Sequence, residues 1–430
     1  MRPSSEKTVI QTIKSMNHNV KVFFCVSFFQ SLGRGIWMGN VLSSYIFLIA
    51  GESNELLGLT SAITGLAMTC TVLPAGVLAD KISRTMMLRT ASVFGFFGVM
   101  SAIFAQDLYG IFVALLFWGL FQGINRPALE SIFADSVESG NRSKIYSWSH
   151  LVRNFAMAAG PFVNVFLFLI IGDVWEIEIL KIVMIIGLLI SLISLGFLFL
   201  FDDKKSLGAE SETLDIHGNN NNNDNAASIS LSSKYIMLIL MGSNLLIGFG
   251  AGMTIKFFPI FFMKIYDLLP ISVQLIMGFT SILTGLVSLL TQKYSLKRGR
   301  ALMIFVVQAL ATVCLFIISF YPVIWILVPI FLARGSLMNA SQPLSRSILM
   351  DVVPKRHRGK VNSFEALAWG LFWNMSAAIG GFLIGPGNNF RLCFLITTCV
   401  YAIGTLPILL LIPLVAKENQ SVNHSPFSSN

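Results

Sequence analysis

Along the 430 residues, long apolar runs alternate with short polar knots. The 24 residues from Leu56 to Ala79 carry no charge, and neither do the seventeen between Arg89 and Asp107. At about 1.5 Å per residue, roughly 20 apolar residues cross a bilayer core as a helix. The pattern predicts twelve spans, at roughly 20–50, 55–79, 86–106, 109–134, 145–171, 178–201, 235–263, 271–292, 301–321, 323–350, 361–385 and 391–415. Between the sixth and seventh lies a polar tract, Asp202 to Lys234, with an unbroken asparagine run from Asn219 to Asn223. It cannot bury enough apolar surface to fold and reads as a flexible linker. The expected organisation is an N-terminal six-helix bundle at 1–201, a cytoplasmic linker at 202–234, and a C-terminal six-helix bundle with a short tail at 235–430.

Composition agrees: 55% of residues are hydrophobic and 12% charged, about half the charged fraction of a soluble protein. This is an all-α, multi-pass membrane protein. Its net charge of +9 does not indicate nucleic acid, because the cations sit in short loops, where they set orientation. With both termini cytoplasmic, inner segments hold twenty-one Lys and Arg and outer segments three, Lys181, Lys264 and Arg391. No cleavable leader is expected, since Met1 to Asn19 is polar and lacks a small-residue cleavage pattern. The five cysteines fall inside apolar runs without paired spacing and read as small buried hydrophobes. The five histidines lie at termini, loops or span edges and show no metal-ligand or catalytic spacing. No phosphate-binding glycine loop is present, so ATP is not the driver. No cofactor, metal or enzymatic activity is expected, and the chain is expected to act as a monomer.

The halves are copies. Asn125 to Trp148 matches Ser341 to Phe364 at a constant offset of 216, with eight identities in 24 positions, among them Pro127/Pro343, Ser131/Ser347, Asp135/Asp351, Arg142/Arg358 and Lys144/Lys360. The same offset carries Lys81 and Arg84 onto Lys297 and Arg300, whereas Asp80 falls on Leu296. A further match, Leu57 to Leu66 against Met277 to Leu286, runs at offset 220.

The loop between the second and third spans reads Gly76-Val77-Leu78-Ala79-Asp80-Lys81-Ile82-Ser83-Arg84. Asp80 closes a helix and so faces the negative end of its dipole, and it needs cations, which Lys81, Arg84 and Arg89 supply. This Gly-x-Leu-Ala-Asp-Lys-x-x-Arg pattern resembles the loop signature of the major facilitator superfamily, with Ser83 where that family usually has Gly. The resemblance covers the whole chain. It implies two six-helix bundles related by an axis along the membrane normal, with the first, fourth, seventh and tenth helices facing a central cavity. It also implies that Asp80 latches onto the start of the eleventh helix as the transporter rocks, with Gly76, Lys81, Arg84, Asp135, Arg142, Asp351 and Arg358 belonging to the latch.

Six cations, Arg34, Arg126, Arg153, Lys256, Arg334 and Arg346, fall inside spans, against two acids, Glu130 and Glu365. Ionisable groups are costly there and are functional candidates by default. Arg34 lies in Gln30-Ser31-Leu32-Gly33-Arg34-Gly35, where the glycines are expected to leave room for a solute, and Arg334 has a similar depth and the same Gly neighbour. Arg126 and Glu130 are four apart on one helix and are placed to pair. Offset 216 sets Arg346 opposite Glu130, and the two are expected to form an interdomain latch. Arg153 serves the inner loops, and Lys256 has the option of snorkelling outward. Ala156 to Pro161 resembles the Gly-Pro core of the antiporter motif in part, though Gly-Pro in a membrane helix is more often a packing site.

An excess of fixed positive charge fits an organic anion, which Arg captures bidentately. The expected function is secondary active transport, as symporter or antiporter, by alternating access. Arg34, Arg126, Arg334 and Gln30 would bind the solute, and Glu130 or Glu365 would carry a co-transported proton. Two alternatives stand beside it: a proton-coupled exporter of amphipathic compounds, and a non-transporting membrane sensor of a solute. The choice between plasma and organelle membrane stays open.

Overall fold

The computed structural model describes residues 16–79, 82–137, 142–207, 231–353 and 355–415, and among these the chain is helical with no strand. A bilayer demands this, because a helix satisfies its own backbone polar groups within one segment. The N-terminal half forms α1 (His18–Trp37), α2 (Asn40–Ile49), α3 (Asn54–Ala79), α4 (Arg84–Phe104), α5 (Leu108–Ser136), α6 (Arg142–Ile171) and α7 (Ile177–Phe197). The C-terminal half forms α8 (Leu231–Thr254), α9 (Phe258–Tyr266), α10 (Pro270–Arg298), α11 (Arg300–Ile318), α12 (Ile324–Val352), α13 (Lys355–Ile384) and α14 (Phe390–Thr405). Among the described residues ten helices are long and apolar enough to cross a membrane, while Asn40–Ile49 and Gly370–Ile384 are apolar but shorter.

Helix starts follow capping chemistry. Ser83 is the N-cap of α4, its hydroxyl accepting from the Met86 N–H at 3.3 Å, so the residue that departs from the family signature supplies an acceptor that Gly lacks. Asp107 caps α5 through the Gly110 N–H at 2.9 Å, and Asn389 caps α14. Two expected spans are interrupted. The first breaks at Met38 and Gly39, between α1 and α2. The seventh breaks after Thr254, where a tight turn, Ile255–Phe257, precedes α9 and its early Pro259.

The chain divides into two compact units that cut across its order. Unit 1 is Met1–Leu42, Leu66–Val163 and Glu178–Asn225; unit 2 is Ser43–Gly65, Asn164–Ile177 and Ala226–Asn430. In unit 1, Phe23 stacks on Phe133 with centroids 3.8 Å apart, Trp37 meets Trp118 edge-on at 5.0 Å, and Trp37 Nε1 donates to Ser191 Oγ at 3.0 Å. The expected flexible linker starts inside this unit as ordered chain. Asn19 exchanges two hydrogen bonds with the Asp202 backbone, Asn17 Nδ2 donates to Lys205 O at 2.7 Å, and Asp203 accepts from the Thr85 N–H and hydroxyl at the start of α4. That corrects the reading for residues 202–207; residues 208–230 lie outside the described chain.

Unit 2 has a phenylalanine core in which Phe258, Phe261, Phe262, Phe331 and Phe394 pack ring against ring. Into it are built pieces of the N-terminal half. Asn54 Nδ2 donates to Gly385 O at 3.0 Å and Asn388 Oδ1 at 2.8 Å, and Lys264 pairs with Glu52 at 2.6 Å. Asp173 Oδ1 accepts from the Ile271 N–H at 2.8 Å, at the start of α10, where the N-cap Leu269 has no side-chain acceptor of its own.

Candidate functional site

α1 is gripped on two sides within unit 1. Gly35 and Gly160 sit at a backbone crossing of α1 and α6, so close that a Cβ on Gly35 would meet Met157 O at 2.6 Å. Gly33 lies against Gly187 and Ser191 of α7. Small residues allow such approach between membrane helices. This corrects the expectation that the glycines beside Arg34 leave room for a solute, and it gives Gly160-Pro161 a packing role.

Arg34 emerges between these contacts, half-buried, with no acceptor for Nε among the described residues. The charged group acting on it is another cation: the Arg126 guanidinium of α5 is close enough for the two to repel. Gln30, one turn earlier, shares the Arg34 face and is also half-buried. Asn125 beside Arg126 is 4% exposed, with an Oδ1 that has no donor among the described residues. It was not singled out from sequence, where an Asn among apolar residues on a cavity-facing span was the available signal.

Within unit 1, Glu130 pairs with a residue other than the Arg126 expected on its own helix. It accepts from Arg153 Nη2 at 2.9 Å, and the Arg153 guanidinium also lies 5.0 Å from the Phe23 ring centre. The α5–α6 hairpin brings an acid near the end of one helix beside a cation near the start of the next. The carboxylate expected to pair with Arg126 is thus engaged by Arg153 within unit 1, and Arg346 is exposed on α12.

Arg334 is more enclosed. It is 5% exposed, stacks over Phe258 at 4.6 Å and donates to Tyr401 Oη at 3.2 Å, so its guanidinium belongs to the packing of unit 2, although its Nε, like that of Arg34, has no acceptor among the described residues. Gly335 packs against Thr280 of α10.

At the ends of α5 and α12 the repeat appears as chemistry. Arg84 pairs with Asp135 in unit 1, and Arg300 Nη1 pairs with Asp351 Oδ2 at 2.6 Å in unit 2, also donating to Ser347 at 2.5 Å. Both members of the second pair lie 216 positions after the first. Arg84, expected to serve Asp80, is therefore engaged by Asp135. Asp80 and Lys81 lie outside the described residues, as do the side chains of Arg142, Arg358 and Glu365; Gly76 is exposed with open space where a Cβ would stand. No cluster of His, Cys, Asp and Glu among the described residues forms a metal site.

A sequence profile of the Major Facilitator Superfamily matches residues 23–364 and 240–428. The chain belongs to that family and is a transporter. A curated relative, the uncharacterized transporter BU466 of Buchnera aphidicola subsp. Acyrthosiphon pisum (strain APS), is 25% identical over 125 residues, covering 29% of this chain and 32% of that protein. The match therefore spans about a third of the relative's length. Solved structures share the fold at low identity. A point mutant of the nucleoside transporter NupG superposes with TM-score 0.69 at 13% identity, covering 91% of this chain and 99% of that one. A bacterial homologue of the iron transporter ferroportin in an inward-facing state gives 0.69 at 12%, covering 94% and 100%. A POT family transporter in complex with a thioalcohol-conjugated peptide gives 0.68 at 13%, covering 94% and 99%.

Proposed function

We propose that this transporter moves a small organic anion by alternating access, with Arg34 and Arg126 gripping the anionic group and Gln30 beside them. The observation that carries this reading is the juxtaposition of two guanidiniums from separate helices of unit 1, with no carboxylate paired to Arg34 among the described residues. Two like charges in an apolar span repel strongly at low dielectric. An anion between them converts repulsion into two charge-assisted contacts, and guanidinium geometry suits carboxylate or phosphate. With Arg334 committed to packing, cargo recognition centres on Arg34 and Arg126. With Glu130 held by Arg153, the proposed proton carrier is Glu365. The ion pairs Arg84–Asp135 and Arg300–Asp351 brace the ends of α5 and α12 while the bundles rock.

Uptake into proteoliposomes tests this, using monocarboxylates, dicarboxylates and sugar phosphates against quaternary ammonium compounds and neutral sugars. Anions accumulate, and Arg34→Gln lowers their uptake about tenfold or more, the loss of ~1.4 kcal/mol or more of binding. Accumulation of cations or neutral solutes alone sinks the anion reading. Binding without flux would point to a sensor.

A further inference from the structure

The interruption in the seventh span is built rather than slack. α8 ends at Thr254, whose backbone (φ −119°, ψ −39°) leaves the helix, and neither the turn Ile255–Phe257 nor α9 has a side-chain cap. Three helices clamp it. From α13, Gly380 lies against the Met253 carbonyl, and the Trp373 carbonyl and Ser376 hydroxyl lie against Gly252. From α14, Cys393 Sγ donates to Met253 O at 3.4 Å and the Tyr401 ring packs on Gly250. From α12, Arg334 reaches both Tyr401 and Phe258, just past the break.

At the centre of this turn stands Lys256. Its side chain is half-buried, between the exposed Ile255 and the buried Phe257, and it has no hydrogen bond or ion pair among the described residues. Three acids of the same unit are engaged elsewhere, Glu52 with Lys264, Asp173 with the Ile271 N–H, and Asp351 with Arg300. Ten residues separate Lys256 from Tyr266 at the outer end of the span, roughly 15 Å at the helical rise, and twenty-two separate it from Lys234, roughly 33 Å. A four-carbon stem does not cover either distance, so snorkelling does not bring this ammonium to the water outside the membrane. An ammonium at that depth is costly unless water or a counter-charge reaches it.

We propose that Lys256 is a cargo-contacting residue: the anionic group of the transported solute supplies the counter-charge that no described residue does, and the clamped break holds the ammonium on the solute's path. This rests on the anion reading above and makes Lys256 a specificity-determining residue of unit 2. The helix interruption has a purpose in that arrangement, because a continuous helix would turn residue 256 to a different bearing relative to Phe258 and the Arg334 clamp.

Amine labelling of the unaltered protein tests it. Purified transporter is treated with sulfosuccinimidyl acetate, a charged reagent confined to water, and acetylation of Lys256 is followed by mass spectrometry with and without succinate or inorganic phosphate. Lys256 is acetylated, and one of these anions slows the reaction about tenfold, in line with local electrostatic concentration of anions, while acetylation of the loop residue Lys204 is unchanged. No acetylation of Lys256 from water overturns the proposal, as does acetylation that neither anion slows. In parallel, Lys256→Arg keeps anion uptake in proteoliposomes and Lys256→Met lowers it about tenfold with unchanged thermal stability; equal uptake by the two variants also overturns it. Failure at Lys256 with Arg34→Gln still abolishing anion uptake removes this residue alone. Absence of anion uptake by the unaltered protein removes the anion reading itself.

Discussion

Arg34 and Arg334 look alike as letters: each is an arginine followed by glycine, deep in a predicted span. In three dimensions they have opposite surroundings. Arg334 is enclosed by an aromatic face and a phenol and is a packing element of unit 2. Arg34 stands between two glycine-mediated helix crossings with another guanidinium as its charged neighbour. The depth of a charge in a span says that it is expensive there. The groups around it decide whether the expense is settled within the fold or by a visiting ligand.

The contrast can be broken by experiment. The largest effect belongs to Arg334→Leu, which removes a desolvated cation–π contact and a charge-assisted hydrogen bond and destabilises the protein by about 3 kcal/mol. Thermal unfolding in detergent measures this, and a wild-type melting temperature would deny the packing role. Gly35→Ala follows, since its methyl group meets Met157 O at 2.6 Å; overpacking at that crossing costs about 2 kcal/mol, whereas Gly76→Ala, in open space, leaves the melting temperature unchanged. Arg34→Gln goes the other way: relieving repulsion from Arg126 stabilises the ligand-free protein by up to about 1 kcal/mol while uptake collapses. A lower melting temperature would make Arg34 structural after all. The smallest effect is at the matched pairs Arg84–Asp135 and Arg300–Asp351. Both are partly exposed, so double-mutant cycles give couplings below about 1 kcal/mol, similar in the two units.

Much of this was legible in the letters. Apolar runs located nearly every helix, whereas the caps Ser83, Asp107 and Asn389 were not singled out although their residue types are ordinary capping chemistry. The offset of 216 already held both members of each pair, Arg84 with Asp135 and Arg300 with Asp351, although the positions alone did not say that they touch. The Glu130–Arg153 pair was not foreseen, because it is made by the crossing of α5 and α6, which no spacing rule encodes. The interruption at Ile255 was missed although Gly250 and Gly252 precede it and Pro259 follows it. The turn residues themselves are β-branched, basic and aromatic, and tertiary contacts from Arg334 and Tyr401 hold it. The glycines around Arg34 were noticed for their smallness, but one sequence cannot say whether a missing side chain admits a ligand or a neighbouring helix.

The first span is fastened to α6 and α7 at Gly33 and Gly35, yet from Ser43 onward the same span belongs to unit 2. Between the fastening and the handover lie Met38 and Gly39, where the helix is interrupted. That short piece is the break in an otherwise helical span, so bending of the span is concentrated in a few backbone torsions there. A methyl group at Gly39 would find its nearest neighbour 4.0 Å away. Alanine at this position therefore stiffens the joint without crowding it, and turnover slows while the fold and the grip on cargo are kept.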